Sequence, residues 1–581
     1  MVMRLDSRAA ITCHEYLHKS YAPNCFDLSD RASLSDVAQA MADQGFIHEA
    51  RVIDFLKQNV AGLVVIDDKL DAPTREAQTV DALKDAEIRI IVHPVFGPTA
   101  EELIAGEIGD PASGESVRVS RPDLLVRQTT EPAPFGTWSA VDVKSHGAFD
   151  SSNKSNQVQL VPATDLISDA PAVSGRLKQE DAMQLAHYQR HLEYMGIADA
   201  QARAGIIGRD IERIAWGSLS STVSGRGKNA ISVLATYDLE FARSLQVVSA
   251  AVERNQNPTL PPPAIPMWDA DAKKCPTCEF KNICIEELVA YKGSGHVTLL
   301  AGVTPAKAED HLSGLDSIAE LAEVPSGSAF VEESAQRARV YLSGEHELKL
   351  GLTDLIIPTF DVEIDIDLEN SQGVLQDLGF DESVTPDRLY LYGYITHDRT
   401  VESDWRESDI GTFENYEGTR EGEHSVYGQM WEYLHDQITS AESAGKTVGI
   451  FHYSPHELTW WCKWARDFGD MTGTPTSDEV ESFISKYCVD LLPIAKQVVF
   501  APNTKSPICN YSIKTLAPIA GFNWMLDDAG GANSLLKYSQ AIGADPQVAQ
   551  EARDWLRQYN MDDVRATMAL RNWLRENSTK L

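Results

Sequence analysis

TWSAVDVKSH, residues 137–146, is a β-type run that becomes polar at alternate positions near its end. On a strand, residues i and i+2 project from the same face. Asp142 and Lys144 therefore point together into one cleft. RPDLLVR (121–127) is a neighbouring strand, joined through a hairpin-length turn that holds Pro132, Pro134 and Gly136. This places Asp123 beside Asp142. Two carboxylates can hold Mg²⁺ or Mn²⁺. Such a cation binds a phosphate oxygen and acidifies an attacking water. Lys144 would orient or deprotonate that water, or neutralise the charge that builds on the phosphate.

Two helices add polar groups. GFIHEARVIDFLKQ (45–58) has apolar residues at helical spacing and carries His48. DAMQLAHYQRHLEYM (181–195) places Gln184 and Tyr188 four apart, on one face. In order, Gly45-x-x-His48, Asp123, Asp142-x-Lys144 and Gln184-x-x-x-Tyr188 resemble the RecB-type branch of the PD-(D/E)xK nucleases. The resemblance implies metal binding by His48, Asp123 and Asp142, catalysis by Lys144, and a site lined by Gln184 and Tyr188. Asp142 stands where that branch more often has Glu.

Eight cysteines are present, and three form Cys275-x2-Cys278-x5-Cys284 after the Pro-rich spacer PTLPPPAIPMW (258–268). Closely spaced thiols signal metal ligation. Cys25 is the natural fourth ligand and Cys13 the alternative. One upstream Cys with a downstream C-x2-C-x5-C also resembles the CRISPR-associated RecB-like exonucleases. That resemblance implies a [4Fe-4S] cluster, and the spacing itself also admits Zn²⁺.

A second acidic constellation lies further on. IIPTFDVEIDI (356–366) is a strand that places Asp361 and Glu363 on one face, and Asp365 and Asp367 extend the run. Glu457 follows the strand VGIFHYS (448–454), with Asp490 competing for its slot. Tyr559 and Asp563 lie four apart on a helix. Two cations bridged by such acids can activate water and stabilise a leaving oxygen, and Tyr559 can orient the water. Asp361-x-Glu363, Glu457 and Tyr559-x-x-x-Asp563 resemble the DEDD exonucleases of RNase H-like fold. The resemblance implies metal binding by Asp361, Glu363 and Asp563.

The expected fold class is α/β, with a PD-(D/E)xK restriction-endonuclease-like core followed by an RNase H-like α/β domain. The expected domains are 1–290, a helical linker at 291–345, and 346–581. Residues 296–325 within the linker resemble a helix-hairpin-helix, and a plain helical linker is the alternative. STVSGRGKN (221–229) is expected as a hairpin turn or loop. The net charge of −35 is uneven: Met1 to Gly295 has 29 basic and 40 acidic residues, the remainder 22 and 46. This argues against a simple nucleic-acid-coating protein, though not against carboxylate metal sites. No apolar run approaches the roughly 18 residues of a membrane span, and no signal peptide is visible, so a cytosolic location is expected. Gly445-Lys446-Thr447 is no P-loop, because position 440 is Ser and the segment precedes a strand.

As a whole, the chain resembles the RecB family nucleases that carry a trailing RNase H-like domain. The implied function is a Mg²⁺- or Mn²⁺-dependent DNA exonuclease acting on single-stranded ends, with a helicase as an expected partner and no membrane association. Its alternatives are a non-catalytic nucleic-acid-binding subunit of a helicase complex and an RNA exonuclease using the C-terminal site.

Overall fold

The computed structural model describes residues 3–32, 36–108, 117–151, 156–168, 170–220, 223–224, 231–269, 274–312, 314–344, 347–348, 357–371, 388–401, 406, 409–499, 507–526 and 531–578. The loop expected at 221–229 lies outside them, apart from 223–224. The chain forms two compact units, Met1–Asp30 with Met41–Ile265, and Arg31–Ala40 with Pro266–Leu581. The division falls inside the Pro-rich spacer, earlier than residue 290. The cysteine motif and the helical segment after it join the second unit.

The first unit is built on an eight-stranded mixed sheet. Its strands are β1 (Leu63–Val65), β2 (Ile90–Val92), β3 (Leu124–Thr129), β4 (Thr137–Val143), β5 (Gln157–Pro162), β6 (Ala172–Ser174), β7 (Arg203–Ile207) and β8 (Arg213–Ser218). Their spatial order is β1-β2-β3-β4-β7-β8-β5-β6. β3 and β4 pair antiparallel, and β4 runs parallel to β7, with Asp142 opposite Ile206. The β3–β4 turn requires glycine. Gly136 has φ +67°, and a Cβ there would stand 2.1 Å from the Thr129 carbonyl oxygen.

Both faces of this sheet are covered. Trp138 and Ala140 of β4 join one apolar cluster, and Val141 and Val143 join the other. Two helices matter for the site: α1 (Asp36–Asn59) and α2 (Gln179–Tyr194). α2 contributes Ala182, Met183, Leu185 and Ala186 to the Trp138 side, so the even-numbered residues of β4 look toward α2.

The second unit opens with a helical element. A 3-10 turn (Val297–Leu299) and short helices Pro305–His311 and Ile318–Ala322 precede the helix Ala329–Ser343. Leu299, Val303, Leu312, Ile318, Leu321 and Ala335 close their own core. Beyond it is a five-stranded sheet of β9 (Val362–Asn370), β10 (Leu389–Asp398), β11 (Ile410–Glu414), β12 (Val448–His452) and β13 (Cys488–Asp490). The order is β11-β10-β9-β12-β13. β9 is antiparallel to β10 and parallel to β12, which is parallel to β13.

β9 alternates strictly. Val362, Ile364, Ile366 and Leu368 pack with Tyr427 and Met430 of α3 (Arg420–Ser443) and with Trp460, Trp461 and Trp464 of α4 (His456–Asp467). Its odd-numbered carboxylates look the other way, toward α5 (Pro546–Ser578). Among the described residues no helix is long and apolar enough to cross a membrane.

Candidate functional site

The acids on the odd face of β9 divide by their partners. Arg571 of α5 makes a bidentate ion pair with Asp365, at 3.0 and 2.7 Å, and a further bond to Glu363. Arg575 also donates to Glu363, at 3.0 Å. Burial would raise the Glu363 pKa, but Arg571 and Arg575 outweigh it and hold the carboxyl below its usual value. Asp361, just before the strand, accepts from the Thr447 N–H at 2.8 Å and the Thr447 hydroxyl at 2.9 Å. Those bonds tie the turn before β12, the same Gly445-Lys446-Thr447 segment, and Lys446 pairs with Asp398 at 2.5 Å. Asp361 and Glu363 thus hold the fold together, and the structure does not bring them to Asp563.

Asp367 and Glu369 take the place expected for that pair. With Asp563 of α5 they present carboxylate oxygens that all lie within 4.8 Å of one another. Asn560 donates to Asp367 at 2.8 Å. On Asp563, Oδ1 accepts from Lys514 Nζ at 2.5 Å and from Trp524 Nε1 at 2.6 Å. Burial raises the pKa of Asp367 well above the usual value, reinforced by Asp563, Glu369 and Glu457. Glu369 is raised in the same way, by burial and then by Asp563. Burial raises Asp563 too, with Lys514 opposing it. Three closely set carboxylates that repel one another, one buried and two half-buried, are short of positive charge, and a hard divalent cation fits an all-oxygen donor set.

Glu457 begins α4 and is buried. Its field reaches both Asp367 and Glu369. Its Oε2 lies 3.4 Å from His452 Nδ1. Asp490, the competing acid, is occupied with backbone: it accepts from the N–H groups of Leu492 and Ser454, both at 2.9 Å. Tyr559 stacks on Trp555 one turn before Asp563, and Lys514 Nζ sits 4.4 Å from its ring centroid. Burial, then Glu369 and Asp563, push its phenol pKa up.

In the first unit, the motif residues gather at the end of β4. The Val143 N–H donates to Asp123 Oδ2 at 2.7 Å, and Asp142 Oδ1 lies 3.5 Å from the Asp123 N–H. Lys144 Nζ stands 3.1 Å from Asp142 Oδ2 and donates to Gln184 Oε1 at 2.9 Å. Burial raises the Asp123 pKa well above the usual range, reinforced by Asp142 and Glu49. Burial also raises Asp142, against Lys144. For Lys144, burial opposes the charge, but Asp142, Asp123 and Asp181 outweigh it and raise its pKa, so the amine stays protonated. The Tyr188 hydroxyl lies 3.1 Å from Ser7 Oγ and donates to the Arg121 carbonyl at 3.4 Å. The fields of Asp142 and Asp123 reach that phenol.

His48 of α1 meets the backbone through one ring nitrogen. Its Nε2 lies 3.2 Å from the Gly208 carbonyl oxygen. The neighbouring Glu49 is the α1 side chain whose charge reaches Asp123. Glu49 Oε1 is 2.7 Å from His93 Nε2, and the His93 N–H donates to the Asp123 carbonyl at 2.9 Å.

None of the cysteines forms a disulfide. Cys25 ends a 3-10 turn of the first unit, with its Sγ 3.5 Å from the Arg254 carbonyl. Cys275 and Cys278 flank Pro276-Thr277, and Cys284 lies in the helix Lys281–Ala290 of the second unit. Four thiolates around zinc, at about 2.3 Å each, would stand about 4 Å apart. Among the described residues the carboxylate trio is the only group of three such ligand atoms within 4.8 Å.

The residues missed from sequence are Glu369, Lys514, Trp524 and Glu49. A signal for Glu369 existed: acids alternate without a break from Asp361 to Glu369. Arginines at 571 and 575, two and three turns beyond Asp563, match the first half of that run.

Residues 409–575 match a family model described as the RNase_H superfamily. The match includes Glu457, Tyr559 and Asp563, and begins beyond Asp367 and Glu369, which the sheet returns to the same place. The chain thus has an RNase H-like superfamily domain at its C-terminal end, a type that acts on nucleic acid with divalent metals. Comparison with curated proteins and with solved structures returned no match.

Proposed function

We propose that the protein is a divalent-metal-dependent nuclease that hydrolyses phosphodiester bonds at the centre formed by Asp367, Glu369 and Asp563. The convergence of these carboxylates within 4.8 Å carries the proposal. A bound Mg²⁺ or Mn²⁺ supplies Lewis-acid activation of water and neutralises phosphate charge. The three carboxylates would hold it, Glu457 would add a further acid whose field reaches Asp367 and Glu369, and Tyr559 would orient the attacking water from the Asp563 side. Asp563 is buried and Asp367 and Glu369 are half-buried, so each charge acts at lower dielectric than in solution.

A second, PD-(D/E)xK-type centre of RecB character is favoured by one observation: Lys144 bridges Asp142 and Gln184 beside Asp123. There Asp123 and Asp142 hold the cation, and the protonated Lys144 neutralises charge on the phosphate. For this centre the proposed substrate is DNA, cleaved from single-stranded ends, with RNA the alternative at the C-terminal centre. Within the second unit, Cys275, Cys278 and Cys284 are proposed as ligands of a [4Fe-4S] cluster. An anaerobic preparation without visible charge-transfer absorption removes the cluster. A helicase that feeds single strands completes the functional proposal.

The test is cleavage of labelled single- and double-stranded DNA and RNA with Mn²⁺ or EDTA, comparing Asp563→Asn, Asp142→Asn and the double variant. Mn²⁺-dependent cleavage lost in Asp563→Asn assigns the C-terminal centre, and loss in Asp142→Asn assigns the other. Cleavage that survives in the double variant overturns both.

A further inference from the structure

Lys514 holds a position that the nuclease chemistry above does not use. Its ammonium is fixed on three sides. It donates to Asp563 Oδ1 at 2.5 Å, and it lies 4.2 Å from the Trp524 ring centroid and 4.4 Å from that of Tyr559. Trp524 Nε1 donates to the same Oδ1 at 2.6 Å. That oxygen therefore already serves two donors, one of them charged. The field of Lys514 also reaches Asp367 and Glu369.

The contrast along β9 gives this weight. Glu363 and Asp365 are matched by Arg571 and Arg575, whereas the next two acids of the same face lie in the field of Lys514, which pairs with Asp563. Two divalent cations held by these acids would compete for their carboxylate oxygens, and Asp367 Oδ2 already accepts from Asn560. Asp563 has one of its two oxygens taken by Lys514 and Trp524.

We propose that Lys514 acts as a built-in second cation, so that the C-terminal centre takes one divalent ion tightly rather than two, with the ammonium on the Asp563 side placed to meet a phosphate oxygen of the substrate. The proposal rests on the metal centre argued above. Lys514 is a positioning and charge-compensating residue, and a fixed charge a few ångströms from a divalent ion changes its affinity strongly at protein dielectric.

The test counts Mn²⁺ directly, by electron paramagnetic resonance of the full chain in an Asp142→Asn background, without substrate. The ions of interest are those lost when Asp563→Asn is added. The expected result is one such ion in the parent and in Lys514→Arg. In Lys514→Met a second ion is expected, or the first bound about tenfold more tightly. Lys514 is partly exposed, so Lys514→Met should fold, and its circular dichroism spectrum checks this. Two Asp563-dependent ions already present in the parent overturn the proposal. So does a folded Lys514→Met with unchanged count and affinity. If the parent shows no Asp563-dependent ion at all, the metal centre itself fails, and the Lys514 proposal with it.

Discussion

A carboxylate on β9 does one of two things, and the partner across α5 decides which. Glu363 is nearly fully buried against Arg571 and Arg575, so Glu363→Gln leaves two guanidinium groups short of a counter-charge. Breaking such a buried pair costs about 3–5 kcal/mol. Urea unfolding should show that loss, while metal-dependent cleavage per folded molecule persists. Asp563→Asn should do the reverse. The urea midpoint in EDTA should move little, because relief of repulsion from Asp367 and Glu369 offsets the lost pair with Lys514. Cleavage at this centre should fall on the order of a thousandfold, from several kcal/mol of lost metal-borne stabilisation. Equal loss of stability in the two variants would show that the acids are not divided in this way. At the N-terminal centre, Asp123, Asp142, Lys144 and Gln184 were legible as a set because strand and helix periodicity fixes their faces locally. The register of the C-terminal pair was not legible. It depends on which β9 residues meet arginines distant in sequence, and alternation alone gives every odd position the same claim.

At the scale of elements, α5 and β9 agree in length. Asp563 to Arg571 is two helical turns, about 12 Å, and Glu363 to Asp367 is four strand residues, about 13 Å. That agreement lets one helix neutralise the start of the strand and complete the proposed metal centre at its end. The approach depends on Gly393 of β10, where a Cβ would stand 2.0 Å from Asn560 Oδ1. Gly393→Ala should push α5 outward at the turn that carries Asn560 and Asp563. Overpacking of this kind costs about 1–3 kcal/mol. Mn²⁺ affinity at the centre should drop with the melting temperature, and unchanged Mn²⁺ affinity would show that α5 can shift without moving Asp563. The elements were largely legible, since β4, β9, β12, α2 and α5 all follow clean periodicities. The helical segment before the second sheet was less legible. Short helices between 296 and 343 have weak periodicity, and their core includes Trp268 and Ile508, from segments on either side.

For the whole molecule, the concentration of acid groups predicts how stability responds to pH and metal. Glu15, Glu101 and Glu363 have folded pKa values held below the usual one: burial opposes this in each case, and His18, His191 and Arg571 respectively lead the groups that outweigh it. Their stabilisation is present above the unfolded carboxylate pKa and is lost as pH falls through that range and below it. Asp367, Glu369, Asp563, Asp123 and Asp142 are raised by burial, as is Glu423, to about 7. A raised carboxyl keeps its proton in the folded state where the unfolded chain has lost it, so each of these groups destabilises the protein as pH climbs above about 4. For Glu423 the loss grows until pH is near 7 and then levels off. Metal-free protein should therefore melt highest in mildly acidic buffer and lower at pH 8. Mn²⁺ replaces the protons at the carboxylate centres, so it should raise the melting temperature more at pH 8 than at pH 5, with proton release on binding. Asp563→Asn with Asp142→Asn should abolish that difference. Glu423 sits between Arg388 and the Leu389 N–H, on other partners than the carboxylates of the proposed centres. Glu423→Gln should therefore lift the melting temperature at pH 8 in EDTA and leave the Mn²⁺ increment intact. Melting curves in EDTA and Mn²⁺ at the two pH values measure all of this, and a Mn²⁺ increment independent of pH would mean that the carboxylates are already ionised without metal.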